Sequence, residues 1–210
     1  MSETFASLSA LEQELTFSSF SRADALRLGL LINEASQGYP APVATEIVIN
    51  GVVVYRYFQD GARPDSELWL ERKRNAVELM QMGSLCFGCM LDESGESLED
   101  RKLHADDFAP GGGGMPIVLA STGMIGSVCV SGEPNHLDDQ EIVVKALRQL
   151  KEPCEVRLCS DSQYVINGLQ KGWAKGWKRR GWKKSDGSPA LNPDLWAQAL
   201  EQEARHAITY

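Results

Sequence analysis

VATEIVINGVVVYRYF (residues 43–58) decides the fold class. Two β-branched runs, 43–50 and 52–58, flank Asn50-Gly51. A two-residue connection of this kind needs positive φ at both central positions, which Asn and Gly tolerate best, so the segment predicts a β-hairpin. Upstream, Ser21 and Asp24 have capping-box spacing, and Ala25, Leu26, Leu28, Leu30, Leu31 and Ala35 follow at helical intervals. A weak helix is expected nearer the N-terminus, around residues 10–15. Downstream, Asp65 or Ser66 can cap a helix over 67–82 with Leu68, Trp69, Leu70, Ala76, Val77 and Met80 on its apolar face. Its polar face carries Glu71, Arg72, Lys73 and Arg74; the Arg72 to Arg74 cluster reads as an anion site at an oligomer interface or, by default, as a solvated helix face. The remaining expectations are a strand at 85–91, a short charged helix at 96–104, strands at 115–120 and 126–130, and an amphipathic helix at 137–150. Helix, hairpin, helix, further strands and a closing helix make an α+β pattern with an antiparallel sheet.

At 210 residues and 43% hydrophobic, the chain can bury a substantial core in one large or two small domains. Its apolar runs fall short of the ~20 residues that span a bilayer, and no basic stretch followed by an apolar one opens the chain. A cytoplasmic protein without membrane attachment is expected. Five cysteines, an odd number, suit reduced thiols. The charge is divided: residues 1–150 carry 11 Lys/Arg against 22 Asp/Glu, net −11, and residues 151–210 carry 10 against 7, net +3. Four of the five tryptophans lie after residue 150. The shift predicts two domains, 1–150 and 151–210, of which only the second suits a polyanion.

DALRLGLLINEA, SELWLERKRNAV, GGGMPI and GSVCVSGEPN, spread over residues 15–150, resemble the haem-degrading-domain proteins related to HbpS and GlcG. The resemblance implies a profilin-like or PAS-like fold with helices flanking the sheet, a tendency to form homo-oligomers, and haem, a corrinoid or a small acid as ligand. It supplies no catalytic mechanism. Within this part, Gly111–Gly114 is a phosphate cradle or a structural turn, and the turn is favoured because a strand follows. Cys86-Phe-Gly-Cys89 has metal or redox spacing, but in a strand its thiols would face opposite sides, which favours buried thiols. His104, beside Asp106 and Asp107, is a ligand of haem iron or another metal, or a solvated surface residue, and the solvated reading is favoured.

KEPCEVRLCSDSQYVINGLQKGWAKGWKRRGWKKSDGSPALNPDLW, within residues 151–210, resembles the central part of bacterial type I ribonuclease H. That resemblance implies a partial β-α-α-α segment and a Mg²⁺-dependent endonuclease acting on RNA/DNA hybrids, with clustered carboxylates holding the metal. Asp161, after the apolar strand 154–159, matches one carboxylate of the family, although an Asp there would equally cap a helix. Asp139 matches a second position usually held by Glu, and also fits the closing helix of the first domain. Counterparts of the family's other two carboxylates are not found, so efficient ribonuclease activity is not expected. The strand at 154–159 loses its usual central neighbour and is expected to pair with the first domain's sheet or with another chain, or to remain partly disordered. Lys171, Trp173, Lys175, Trp177, Lys178, Arg179, Arg180, Trp182, Lys183 and Lys184 resemble the basic protrusion that binds hybrids, with Gln163 and Tyr164 near minor-groove contacts. The same residues read as a solvated basic helix over buried indoles.

Three functions follow: a small-ligand or scaffold domain carrying a nonfunctional nuclease tail, a Mg²⁺-dependent ribonuclease H, or a nucleic-acid-binding module without catalysis. The first is the expectation for the body of the chain.

Overall fold

The structure, a computed structural model, describes residues 3–151, 155–205 and 207–210. In chain order the elements are α1 (Phe5–Glu14), α2 (Arg22–Ala35), β1 (Ala44–Ile49), β2 (Val52–Phe58), α3 (Ser66–Met80), α4 (Ser84–Ser94), β3 (Gly114–Leu119), β4 (Gly123–Ser131) and α5 (His136–Lys151). After these come β5 (Glu155–Arg157), α6 (Gln163–Gln170), α7 (Trp173–Arg179), α8 (Pro193–Arg205) and β6 (Ala207–Thr209). The chain divides into two compact units, Met1–Lys151 and Glu152–Tyr210.

In the first unit an antiparallel sheet runs β2-β1-β4-β3. The hairpin forms as its turn dictates, with Asn50 at φ 49° and Gly51 at φ 76°. Ser21 and Asp24 close the capping box of α2, the hydroxyl accepting from the Asp24 N–H and the carboxylate from the Ser21 N–H. Strand alternation then sorts the core. Ile47, Val128 and Val130 meet Leu28 and Ile32 of α2 and Ile142 and Leu147 of α5, while Ala44 and Cys129, facing the other way, meet Leu70 of α3. Each fully buried Leu or Ile contributes about 1.5–3 kcal/mol, so this two-sided packing of β1 and β4 dominates the unit's stability.

The edge of β3 is closed by three separate means. Phe17 donates its N–H to the Val118 carbonyl and accepts from the Ala120 N–H. Pro116 has no N–H to offer, and the Gly114 N–H is bonded to Ser84 Oγ.

Two expected elements are corrected. Residues 85–91 lie in a helix, α4, and not a strand. Their continuous apolar run has no period that separates a buried helix from a buried strand. The helix is started by a distant group: the Glu12 carboxylate of α1 accepts the Gly83 N–H at 2.8 Å, and Gly95 at φ 70° ends it. Residues 96–104 form turns instead of a helix. Ser97 and Asp100 bond reciprocally in a capping arrangement, but Lys102 at φ 62° stops propagation and Leu98 is drawn into a core with Phe87 and Leu91.

In the second unit β5 pairs in parallel with β6. A strand expected to lack a partner in its own segment therefore has one, and the segment is β-α-α-α-β. The partner was hidden because AIT is too short and unpatterned to announce a strand. Leu169, Trp177, Trp196 and Leu200 form the core. The Trp177 and Trp196 rings meet edge-to-face at 5.3 Å, and Trp196 sits over Gly168, where a Cβ would overlap the indole.

Candidate functional site

A cavity of about 820 Å³ opens in the first unit, within the range of small-molecule sites. Trp69, Leu98, Phe108 and Pro110 supply apolar wall. The polar lining includes Arg63 and Asp65 before α3, Lys73 on α3, Glu133 in the loop after β4, and His136 and Asp139 in the first turn of α5.

Lys73 and Asp139 form a buried ion pair, with side chains 4% and 3% exposed. Lys73 Nζ donates to Asp139 Oδ2 at 2.8 Å and to the Val130 carbonyl at 2.8 Å, and Asp139 Oδ1 accepts the Glu133 N–H at 3.2 Å. Burial pushes the Asp139 carboxyl above its ordinary range, against the pull of Lys73 and the backbone donors. This corrects the solvated polar face expected of α3. Lys73 stands between Leu70 and Val77 on the buried stripe, and Arg74 pairs with buried Glu46, which also takes Arg56. Asp139 similarly begins the stripe Ile142, Val143, Ala146 and Leu150 of α5. Charged residues at core spacing were the legible signal for this pair.

The glycine run is committed to structure. The Gly112 N–H donates to His136 Nδ1 at 2.9 Å, Gly113 to Gln140 Oε1 at 3.0 Å, and Gly114 to Ser84 Oγ at 3.0 Å. These amides are thus taken up by the protein and not presented to a phosphate. Gly113, at φ 107°, also lies where a Cβ would strike the Val130 carbonyl. With Nδ1 accepting, the neutral His136 ring carries its proton on Nε2, which makes it a hydrogen-bond donor and not a metal ligand.

Cys86 and Cys89 lie three residues apart on α4 and face α1, not opposite sides of a sheet: Cys86 Sγ is 3.6 Å from Ser9 Oγ, and Cys89 Sγ 3.8 Å from the Glu3 carbonyl. Burial pushes the Cys86 thiol up to about 12. His104 lies in the turn region, where its carbonyl accepts the Asp107 and Phe108 N–H groups. Among the described residues no group of three His, Cys, Asp or Glu side chains is placed to hold a metal.

In the second unit Asp161 is exposed, and the α6 cap is taken by Ser162, whose hydroxyl accepts the Val165 N–H. Asp139 belongs to the first unit and Asp161 to the second. Cys154, at the start of the expected strand, lies outside the described residues. Of the basic protrusion, Lys171, Lys175, Lys178, Arg179, Arg180 and Lys183 are exposed and Lys184 is half-buried; Lys175 pairs with Glu203 at 2.9 Å. The indoles divide: Trp177 is buried under Tyr164, Trp182 is half-buried, and Trp173 is 41% exposed with the Lys171 ammonium over its ring. Gln163 is exposed beside the half-open Tyr164 ring.

Two family models match the chain, one described as haem degrading protein HbpS-like over residues 20–148 and one as RNase H over residues 109–210. A UPF0303 protein of Rhizobium etli is 38% identical over 136 residues, 65% of this chain and 82% of its own length. Another, from Streptomyces avermitilis, is 35% identical over 147 residues, 70% of this chain and 90% of its own. A ribonuclease H of Syntrophus aciditrophicus is 52% identical over 67 residues, 32% of this chain, which spans 39% of that protein's length. Among solved structures, Ybr137w superposes with a TM-score of 0.64 at 23% identity, covering 70% of this chain and 88% of its own. A PduOC:heme complex superposes with a TM-score of 0.51 at 22% identity, covering 62% and 94%. At these identities the structural likeness is one of fold. Among the described residues no helix is long and apolar enough to cross a membrane.

Proposed function

Because the chain belongs to the haem degrading protein HbpS-like family, we propose that its first unit binds a small molecule in the cavity beside Lys73 and Asp139. The second unit, in the same proposal, is a ribonuclease H-like segment without efficient catalysis. The cavity carries the first half: flat apolar walls over a few buried polar groups are the usual make-up of a ligand site. Haem is the ligand that the family description and the PduOC complex suggest. Trp69, Phe108 and Leu98 suit the face of a macrocycle, but the described lining offers no free axial side chain, since His136 Nδ1 is already an acceptor. The cavity thus fits the ring and not the iron.

A ligand-observed NMR screen of flat aromatic compounds, anionic, neutral and cationic, with haemin followed by absorbance, tests the reading. Exposed Ala105 lines the cavity, so Ala105→Trp is expected to expel whatever binds there. A screen in which no compound is expelled sinks the reading.

We extend the proposal to a homo-oligomer in the cytoplasm, supported by Leu26 and Leu30, one turn apart on α2 and more than half exposed, and by the free thiols among the described cysteines. Light scattering of a monomer at micromolar concentration would count against the oligomer. For the second unit, the exposed cations and Trp173 favour contact with nucleic acid, including RNA/DNA hybrid. Binding that weakens steeply with salt and ignores Mg²⁺ is expected. Among the described residues Asp161 has no companion ligands with which to hold Mg²⁺. Hybrid cleavage that Asp161→Asn abolishes would overturn this half.

A further inference from the structure

We infer that the cavity receives an organic cation, a protonated amine or amidine on a flat apolar body, with Glu133 as its counter-ion. The inference rests on reading the cavity as a ligand site and narrows the chemistry of what fills it.

Lys73 is spent on Asp139, and Arg63, 81% exposed, lies at the surface in a pair with Asp65 through Nε at 3.2 Å and Nη2 at 3.0 Å. His136 Nδ1 is taken up as acceptor of the Gly112 N–H. Glu133 remains. It is 8% exposed, and among the described residues its two carboxylate oxygens share one donor, the Ala41 N–H, at 3.3 Å each, and meet no cation. A carboxylate can accept about four hydrogen bonds, and a buried one with a single long bond and no cation is both under-bonded and uncompensated. Burial also raises its carboxyl above the ordinary range, with Asp139 and Asp138 pushing the same way.

A ligand ammonium would supply the missing donors and the missing charge together. A ligand carboxylate would meet Glu133 and Asp139 with no uncommitted buried cation to receive it. The ring of Phe108 favours the same choice, since aromatic faces attract cations, while Trp69 already carries the Arg72 guanidinium 5.2 Å over its ring. Holding the Ala41 N–H in place does not by itself account for Glu133, because a neutral glutamine oxygen would accept that bond equally well.

Calorimetry at neutral pH on the full chain, comparing tryptamine with indole-3-propionic acid, puts one ring system with opposite charges into the cavity. Tryptamine is expected to bind at least about tenfold tighter than the acid. Glu133→Gln keeps the acceptor for Ala41 and is expected to weaken tryptamine about tenfold or more while leaving the acid unchanged or improved. The inference is overturned if the acid binds as tightly as the amine, or if Glu133→Gln, still folded, holds tryptamine within about twofold of wild type. Should the variant fail to fold, the wild-type comparison of amine with acid decides alone. If neither probe binds although other compounds are expelled by Ala105→Trp, this inference falls and the ligand site stands. If nothing is expelled, the site itself falls and the inference with it.

Discussion

Replacing Lys73 by Ala would strand the Asp139 carboxylate without a cation in the most buried part of the cavity wall. Breaking a buried pair in this way costs about 3–5 kcal/mol, a large share of what a unit of this size has in hand. The urea midpoint of Lys73→Ala is expected to drop accordingly. Lys73→Met combined with Asp139→Leu, which removes both charges and keeps the volume, is expected to recover most of the loss; failure of that rescue would mean that the pair does more than neutralise itself. Thiol chemistry follows from burial in the same way. Cys86 and Cys129, both pushed up to about 12, carry almost no thiolate at mildly alkaline pH, whereas Cys159 lies open to solvent. Brief treatment with iodoacetamide followed by mass spectrometry is expected to find label on Cys159, with Cys86 and Cys129 protected until the chain is unfolded or the pH approaches 12.

At the scale of elements, α2 lies on the hairpin through a contact that only glycine allows. A Cβ at Gly29 would overlap the Tyr55 ring, and forcing extra atoms into such packing costs about 1–3 kcal/mol. Gly29→Ala is expected to lower the melting temperature by roughly 2–4 °C per kcal/mol lost, and Tyr55→Leu to restore part of it. Elements whose signals are local could be read in the sequence: the Asn50-Gly51 turn, the Ser21 and Asp24 cap and the stripe of α5 each act within a few residues. What escaped reading is set by distant partners. The start of α4 depends on Glu12, seventy-one residues away, and the β5 strand depends on β6, which no local pattern marks. The cavity was hidden for a related reason: Lys73 looks like one more charge in a run of four until Asp139, sixty-six residues on, turns up at a core position of its own helix.

For the whole molecule, the division in charge seen along the chain coincides with two cores: the Leu28, Ile47 and Leu147 cluster in one unit, and the Trp177 and Trp196 cluster in the other. Because four of the five tryptophans belong to the second unit, indole fluorescence reports mainly on it. Gly168→Ala, which drives a Cβ into Trp196, is expected to shift the fluorescence transition on heating, while Gly29→Ala shifts the transition seen by far-ultraviolet dichroism. Equal shifts of both signals by either variant would refute separate cooperative units. A sheet with one usable margin, here β2, can recruit one neighbour and is then finished, as a domino with a blank end closes a row. Strand-to-strand joining through this sheet would stop at a pair, and the open-ended stacking that makes fibres from exposed strands is denied by Phe17, Pro116 and Ser84.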